Sequence, residues 1–276
     1  MRLANLNEAQ HAAVGRYRAP CPECDRGITD DALSVKVERY GHYVWHCHRC
    51  RWAGASGLST INPQPRAQNA PKAHHEGLSE WAIALWQSTR ELEGDALAYL
   101  EARSCVCPPM YGDLRYYPNL KHSPSGYTGP ALVALVTDAI SNKAISLHRT
   151  WIRADGTKAL VKPARMLAAG HRAKGGVIRL WPDEYVTHGL AVGEGIETML
   201  SVAHAYKPVW ACIDASNLSA FPVLNGIESL LIAADADPVG AQAAKDCARR
   251  WLLARREVSI AEPDVGCDWN DEANAA

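Results

Sequence analysis

The chain has 276 residues, 47% of them hydrophobic and 21% charged, with a formal net charge of −1. That composition belongs to folded domains and excludes a disordered, collagen-like or membrane-embedded chain. No apolar run approaches the roughly 18 residues of a membrane span, and Met1-Arg2-Leu3-Ala4-Asn5 lacks the apolar centre of a signal peptide, so a cytoplasmic protein with no membrane partner is expected. The near-zero charge hides a partition. Residues 115–180 hold 11 Lys/Arg against 2 Asp/Glu, whereas residues 181–276 hold 6 against 15. A basic block beside an acidic one suits a protein that grips a polyanion with one surface and divalent cations with another.

Nine cysteines without a secretion signal argue against a disulfide framework. Four have a spacing that decides their use: Cys21 and Cys24 form one knuckle, Cys47 and Cys50 another, with 22 residues between them. Two such knuckles close a tetrahedral site with no open position, which predicts one structural zinc ion in a ribbon spanning residues 1–58. Ala32–Val37 and Tyr43–His46 alternate as strands, with Tyr40-Gly41-His42 as their turn. His42, His46 and His48 read as surface histidines, because four thiolates already complete the tetrahedron. Trp45, Arg49, Arg51 and Trp52, with Arg39, Tyr40 and Tyr43, interleave cations with flat rings. That combination holds phosphates and stacks unpaired bases, but a ribbon this small also needs rings for its own core, and both uses stay open.

Residues 59–75, rich in Pro, Asn, Gln and Ala, predict a flexible linker. Leu78, Trp81, Ala82, Leu85 and Trp86 then recur at helical spacing, and Ala96–Ala102 predicts a second helix. From Arg115 onward short strands take over: Ala131–Val136, Ala144–Ile152 after a turn at Ser141-Asn142, and Val177–Trp181. The cations here are too unmixed for a generic solvated face, and Arg149, Lys158, Lys162, Arg165 and Lys174 are candidates for a phosphate-binding surface. No GxxxxGK[ST] loop occurs, which excludes a P-loop motor.

From 190 to 263 strands alternate with helices: Leu190–Val192, a helix from Ile196 to Tyr206, Val209–Ile213, Ser229–Ala234, a helix from Gly240 to Arg255, and Val258–Ile260. In the long helix Ala241, Ala244, Ala248, Trp251 and Leu252 form the expected apolar stripe. Alternation of this kind predicts a parallel sheet whose ligands sit at the carboxyl ends of its strands. The acids stand there: Glu194 after the first strand, Asp235 and Asp237 after Leu230–Ala234, Asp268 and Asp271 after the last. Carboxylates gathered at one sheet edge suit magnesium or manganese; capping of the following helix is the alternative for Asp235 and Asp237.

Gly193-Glu194-Gly195, the strand ending Asp235-Ala236-Asp237, and Asp268-Trp269-Asn270-Asp271 resemble the Toprim domain of bacterial-type primases, topoisomerases and some nucleases. Together with the four-cysteine ribbon and the stretches LRYYPN (114–119), HRTW (148–151) and GEGIETMLS (193–201), the chain is similar to compact DnaG-type primases of phages, plasmids and mobile elements. The resemblance implies a ribbon (1–58), a linker (59–75), an α+β basic subdomain (76–188) and an α/β Toprim domain (189–276). It implies synthesis of RNA primers on single-stranded DNA from nucleoside triphosphates, with two or more Mg2+ or Mn2+ ions held by Glu194, Asp235, Asp237, Asp268 and Asp271. Of these, Glu194, Asp235, Asp237 and Asp268 carry the catalytic expectation. Replicative primases place an aspartate four residues after the motif glutamate; Thr198 stands there here, beside Glu197, whose part in metal binding stays open. With little chain after Asp271, any contact with a replicative helicase is expected through a separate protein. A RecR-like recombination mediator and a Toprim nuclease are the rival readings.

Overall fold

The computed structural model describes residues 2–24, 26, 27, 29–38, 42–56, 77–263, 269, 270 and 273. The chain divides into two compact units, residues 1–68 and 69–276. The expected linker at 59–75 and Tyr40-Gly41 of the expected turn lie outside the described residues.

The first unit is an antiparallel meander of β1 (Gly15–Ala19), β2 (Leu33–Val37), β3 (Tyr43–Cys47) and β4 (Ala53–Ala55). The period of two along each strand separates its faces. Leu33, Val35 and Val37 enter a core with Leu3, Ala9, Tyr17, Ala19 and Cys47. On the opposite face Arg16 lies beside Lys36, and Ser34 beside His46. Strand β1 escaped the sequence reading because Gly-Arg-Tyr-Arg-Ala offers only Tyr17 and Ala19 to the core. Its pairing with β2 makes up the difference.

In the second unit α1 (Glu80–Gln87) and α2 (Asp95–Ala102) precede an antiparallel sheet of β5 (Leu114–Lys121), β6 (Thr128–Asp138), β7 (Ala144–Trp151) and β8 (Arg165–Leu167), in that order. Ser79 caps α1 through its side chain. The expected strand Val177–Trp181 shortens to β9 (Gly176–Val177) on the end of β6. The chain then crosses over, and Ile178 bridges Ala211 of the next sheet.

That next sheet is the parallel α/β structure that the alternation predicted. It comprises β10 (Gly189–Gly193), α3 (Ile196–Val202), β11 (Val209–Ala211), α4 (Ala215–Ser219), β12 (Ser229–Ala233), α5 (Pro238–Leu253) and β13 (Glu257–Ala261), with strand order β11-β10-β12-β13. Helix α3 ends at Val202, short of the expected Tyr206. Helix α4, one polar turn, had no apolar period to betray it. In α5 the buried stripe uses Ala243 and Cys247 with Ala244, Ala248 and Trp251. The expected Leu252 is 57% exposed, because the helix begins at Pro238 and its buried arc is centred on Ala244 and Ala248.

One hydrophobic cluster unites the two sheets, running from Tyr99 and Leu100 of α2 through Leu132 and Ile145 to Met199, Leu200 and Ala233. A second fills the far side of the parallel sheet, where Phe221 and Trp251 stack with ring centroids 5.9 Å apart.

Gly193 ends β10 immediately before Glu194. A Cβ there would meet Met199 Sδ at 2.5 Å and the Ala233 carbonyl oxygen at 2.9 Å. Gly193→Ala is therefore expected to destabilise the second unit by about 1–3 kcal/mol through overpacking, read as a lowered urea midpoint; an unchanged midpoint would show that β10 and β12 can part there without cost.

Candidate functional site

Two sites stand out, one in each unit. In the ribbon, the sulfurs of Cys21, Cys24, Cys47 and Cys50 all lie within 4.8 Å of one another. Cys21 and Cys50 are separated by 3.7 Å, as are Cys24 and Cys47. Four thiolates about 2.3 Å from a central zinc form a tetrahedron with edges of roughly 3.8 Å, so the cluster fits one zinc ion. Burial raises the Cys47 thiol, but backbone N–H groups of Cys50 and Arg49 pointing at its sulfur bring it down to about 7, which favours the ligating thiolate.

Of the nominated aromatic and basic residues of the ribbon, Trp45, Trp52 and Arg49 have other duties. Trp45 packs between Tyr43 and Trp52, with ring centroids at 5.7 and 5.3 Å, and Gly54 leaves room for its indole. Arg49 is paired with Asp30 at 3.2 Å. Arg51 is exposed, at φ 64° in the second knuckle. The open, basic surface is instead the outer face of the sheet, where Arg16, Arg18, Ser34, Lys36, Val44 and His46 line a groove of about 430 Å³.

In the second unit Glu194 follows β10 and Asp235 and Asp237 follow β12, its immediate neighbour in the sheet. Burial raises the Glu194 carboxyl to about 7, and the charges of Asp235, Asp237 and Asp214 push it the same way. Asp214 was not foreseen. It stands three residues past the end of β11 and caps α4, accepting from Asn217 N at 2.8 Å; an acid directly after the expected strand Val209–Ile213 was the available signal. Asp237 caps α5, and both capping hydrogen bonds, from Val239 N and Gly240 N at 2.9 Å, fall on Oδ1. Among the described residues no three acids close to within 4.8 Å as the cysteines do. Even so, this all-oxygen set of mutually repelling carboxylates has the donor chemistry that magnesium or manganese requires. Asp268 and Asp271 lie outside the described residues.

The five nominated cations scatter. Arg149 is interior, 5% exposed, with its guanidinium 5.2 Å from the Trp81 ring and 5.6 Å from Trp151 and donating to the Leu167 carbonyl. It is removed from any surface contact because β7 turns its side chain into the space under α1. Lys162 and Lys174 are exposed. Lys158 and Arg165 converge on Glu197, at 3.4 and 3.1 Å. Glu197 is buried, and the Tyr99 hydroxyl donates to it at 2.8 Å. Burial by itself would raise this carboxyl, but Arg165 and Lys158 hold it down at about 2. Beside this cluster Arg103, Lys158, Arg165, Thr198, Asp235 and Asn270 line a cleft of about 320 Å³.

Residues 189–276 match the Toprim domain family, and residues 76–180 match a domain of unknown function, DUF7146. The C-terminal segment is therefore a Toprim domain. No curated protein matches the chain. Among solved structures, the Aquifex aeolicus primase, comprising zinc-binding and RNA polymerase domains, is 15% identical with a TM-score of 0.47, covering 96% of this chain and 77% of that one. A DnaG catalytic core is 12% identical with a TM-score of 0.47, covering 70% and 73%. A DNA primase domain from Pseudomonas aeruginosa is 13% identical with a TM-score of 0.38, covering 66% of this chain; this chain spans 56% of its length.

With divalent cations removed, Glu194 binds its proton more tightly folded than unfolded. The unfolded chain releases that proton near 4.5 and the folded chain near 7. The contribution of Glu194 to stability is thus expected to fall as pH rises between those values, by on the order of 2 kcal/mol after allowance for solvent screening. Asp113, raised to about 7 by burial, and His148, lowered to about 4 by burial, add slopes of opposite sign to one another over the same range, so chemical denaturation in EDTA across pH 4.5–7.5 is read as the difference between wild type and Glu194→Gln; a difference that does not change with pH would refute the share given to Glu194.

Proposed function

We propose that this chain is a DNA primase that makes short RNA primers on single-stranded DNA by nucleotidyl transfer, with one structural zinc and two or more magnesium or manganese ions. The observation that carries the reading is the Toprim domain, whose Glu194, Asp235 and Asp237 end adjacent parallel strands in a chain that also bears a four-cysteine cluster. In this reading the protein is a primase of the phage, plasmid or mobile-element kind, acting in the cytoplasm with a replicative helicase as a separate partner. No helix among the described residues is long and apolar enough to cross a membrane.

Glu194, Asp235 and Asp237 are the proposed metal ligands, joined by Asp268 and Asp271. When bound, the ions would neutralise the triphosphate and acidify the attacking 3′-hydroxyl. Glu194 would either ligate a metal or take the hydroxyl proton. Lys158 and Arg165 would meet the triphosphate, and the exposed Lys162 and Lys174 the template backbone. In the ribbon, Arg16, Arg18, Lys36 and Arg51 are the proposed phosphate contacts, with His46 beside them. Trp45 and Trp52 serve the ribbon's aromatic packing in this reading.

Template-directed incorporation of labelled ribonucleotides tests the proposal. Wild-type protein with magnesium should yield oligoribonucleotides on single-stranded DNA. Asp235→Asn should lower synthesis by about 10³-fold or more, as loss of a metal ligand does, while DNA binding by filter retention stays within about twofold because the cations bind phosphate independently. DNA cleavage without synthesis would replace the primase with a Toprim nuclease, and duplex binding without either activity would favour a RecR-like mediator.

Cys47→Ser should release the zinc and unfold the ribbon, measured as one fewer zinc per chain by atomic absorption. Product yield should then fall through loss of template selection. An unchanged product pattern on a mixed template pool would refute that role.

A further inference from the structure

We infer that Glu197 is a positioning residue that holds Lys158 and Arg165 at the cleft beside Asp235 for the polyphosphate of a nucleoside triphosphate, and is not itself a ligand of the catalytic metals. The inference rests on the nucleotidyl-transfer reading and assigns the residue that the sequence left open.

Both carboxylate oxygens of Glu197 are already engaged. Oε1 accepts from the Tyr99 hydroxyl at 2.8 Å and lies 3.4 Å from Lys158 Nζ; Oε2 accepts from Arg165 Nη2 at 3.1 Å. A divalent cation drawn to this carboxylate would stand against an ammonium and a guanidinium, which repel it. Glu194, one helical turn earlier at the end of β10, has the opposite surroundings: its charged neighbours are the acids Asp235, Asp237 and Asp214. Three residues apart, the two glutamates belong to different electrostatic neighbourhoods, one asking for cations and one already supplied with them.

The cations are less deeply placed than the acid that holds them. The Glu197 side chain is 7% exposed, against 29% for Lys158 and 48% for Arg165. One carboxylate shared by two cations leaves one positive charge over, and Arg103 adds another along the same cleft. Among the described residues Arg103 Nε is buried without a hydrogen-bond partner, although its Nη1 donates to the Gly156 carbonyl. Thr198 and Asn270 complete a lining rich in donors, and Asp235 stands at the same cleft. An excess of anchored cations next to a metal-ligating carboxylate suits a polyanion that also carries a divalent cation, which is the chemistry of a nucleoside triphosphate. Anchoring matters because two long, flexible side chains otherwise lose rotamer freedom when phosphate binds; a buried carboxylate fixes them beforehand.

The test separates positioning from metal ligation. Glu197→Gln is expected to raise the KM for nucleoside triphosphate about tenfold while changing kcat less than about threefold, since ground-state binding is lost rather than chemistry. Manganese affinity, measured by electron paramagnetic resonance, should stay within about twofold of wild type. Adding Lys158→Met to Glu197→Gln should raise KM by much less than the product of the separate effects, because the two residues act as one unit. A tenfold loss of manganese affinity with KM unchanged would overturn the inference and make Glu197 a ligand; so would a fall in kcat alone. Should Glu197→Gln fail to fold, Tyr99→Phe removes one hydrogen bond from the carboxylate and keeps its charge. A KM raised about two- to threefold in a variant still folded at the assay temperature then supports positioning, and an unchanged KM overturns it. Binding of fluorescent ATP without template keeps the two readings apart. Binding weakened by Glu197→Gln in a protein that makes no primer removes the primase and keeps the positioning, whereas primer synthesis with a KM indifferent to Glu197 removes only the positioning.

Discussion

A buried carboxylate is tolerated only when cations and hydrogen bonds surround it, and removing a partner from such a group typically costs about 3–5 kcal/mol. Glu197 sits under this constraint on α3, the helix that follows the first strand of the parallel sheet. Its partners come from elsewhere: Tyr99 from α2, Lys158 from the loop after β7, Arg165 from β8. Satisfying one charge therefore fixes the antiparallel sheet against the parallel one. The hydrophobic cluster that unites the sheets supplies most of the adhesion, but apolar contact is not directional. The ion cluster selects one arrangement among those that the apolar surfaces would permit, and it does so next to Asp235.

The same logic revises what the charge partition meant. The excess of cations over 115–180 is not all available to a polyanion. Arg149 lies between indole rings, and Arg179 is 5% exposed, pairing with Asp183 at 2.7 Å and facing Trp210 at 4.5 Å. Arg172 pairs with Asp138 at 2.8 Å. These arginines hold the antiparallel sheet and its loops together, a use that a delocalised, weakly hydrated guanidinium tolerates and a lysine does not. Every lysine of the segment sits in a loop or at a strand end, and Lys162 and Lys174 are exposed. A count of charge by segment was right about the sign of the surface and too generous about its extent.

Legibility in the sequence followed the range of the interaction. The two cysteine knuckles and the alternation of strand and helix from 189 onward depend on neighbours two to four residues apart, and they were readable. So was the place of Glu194, Asp235 and Asp237, since a parallel sheet puts all its strand ends on one side. The Glu197 cluster was hidden because its partners lie 98 and 32 residues away along the chain, and no local pattern links a tyrosine on α2 to a glutamate on α3. Asp214 was missed for a different reason. The expected strand Val209–Ile213 runs directly up to it, but the helix it caps is a single turn without an apolar period, so no predicted helix start drew attention to the acid. In the ribbon, alternation located the strands but left open which face the rings take, and the close approach of Gly54 to Trp45 places that indole on the core side.

The two candidate metal sites also differ in how their donors are held, and the difference follows from the chemistry expected of each. The four cysteine sulfurs already stand at the spacing a closed tetrahedral ion needs, as a site whose role is structural should. Among the described residues no three acids close that tightly, and three of them are held by backbone N–H groups: Asp237 by the first turn of α5, Asp214 by α4, and Glu194 by a hydrogen bond from Ala215 at the start of α4. Among the described residues Lys158 and Arg165 pair with Glu197, while Asp235, Asp237 and Asp214 act on Glu194 as like charges. Electrostatics thus places the demand for a divalent cation at Glu194 and the supply of fixed cations one helical turn away. In the proposed reading, a substrate bringing both negative phosphates and its own magnesium would meet each where it is wanted, which favours an acidic edge and a basic cleft as separate neighbours over a mixture of the two charges.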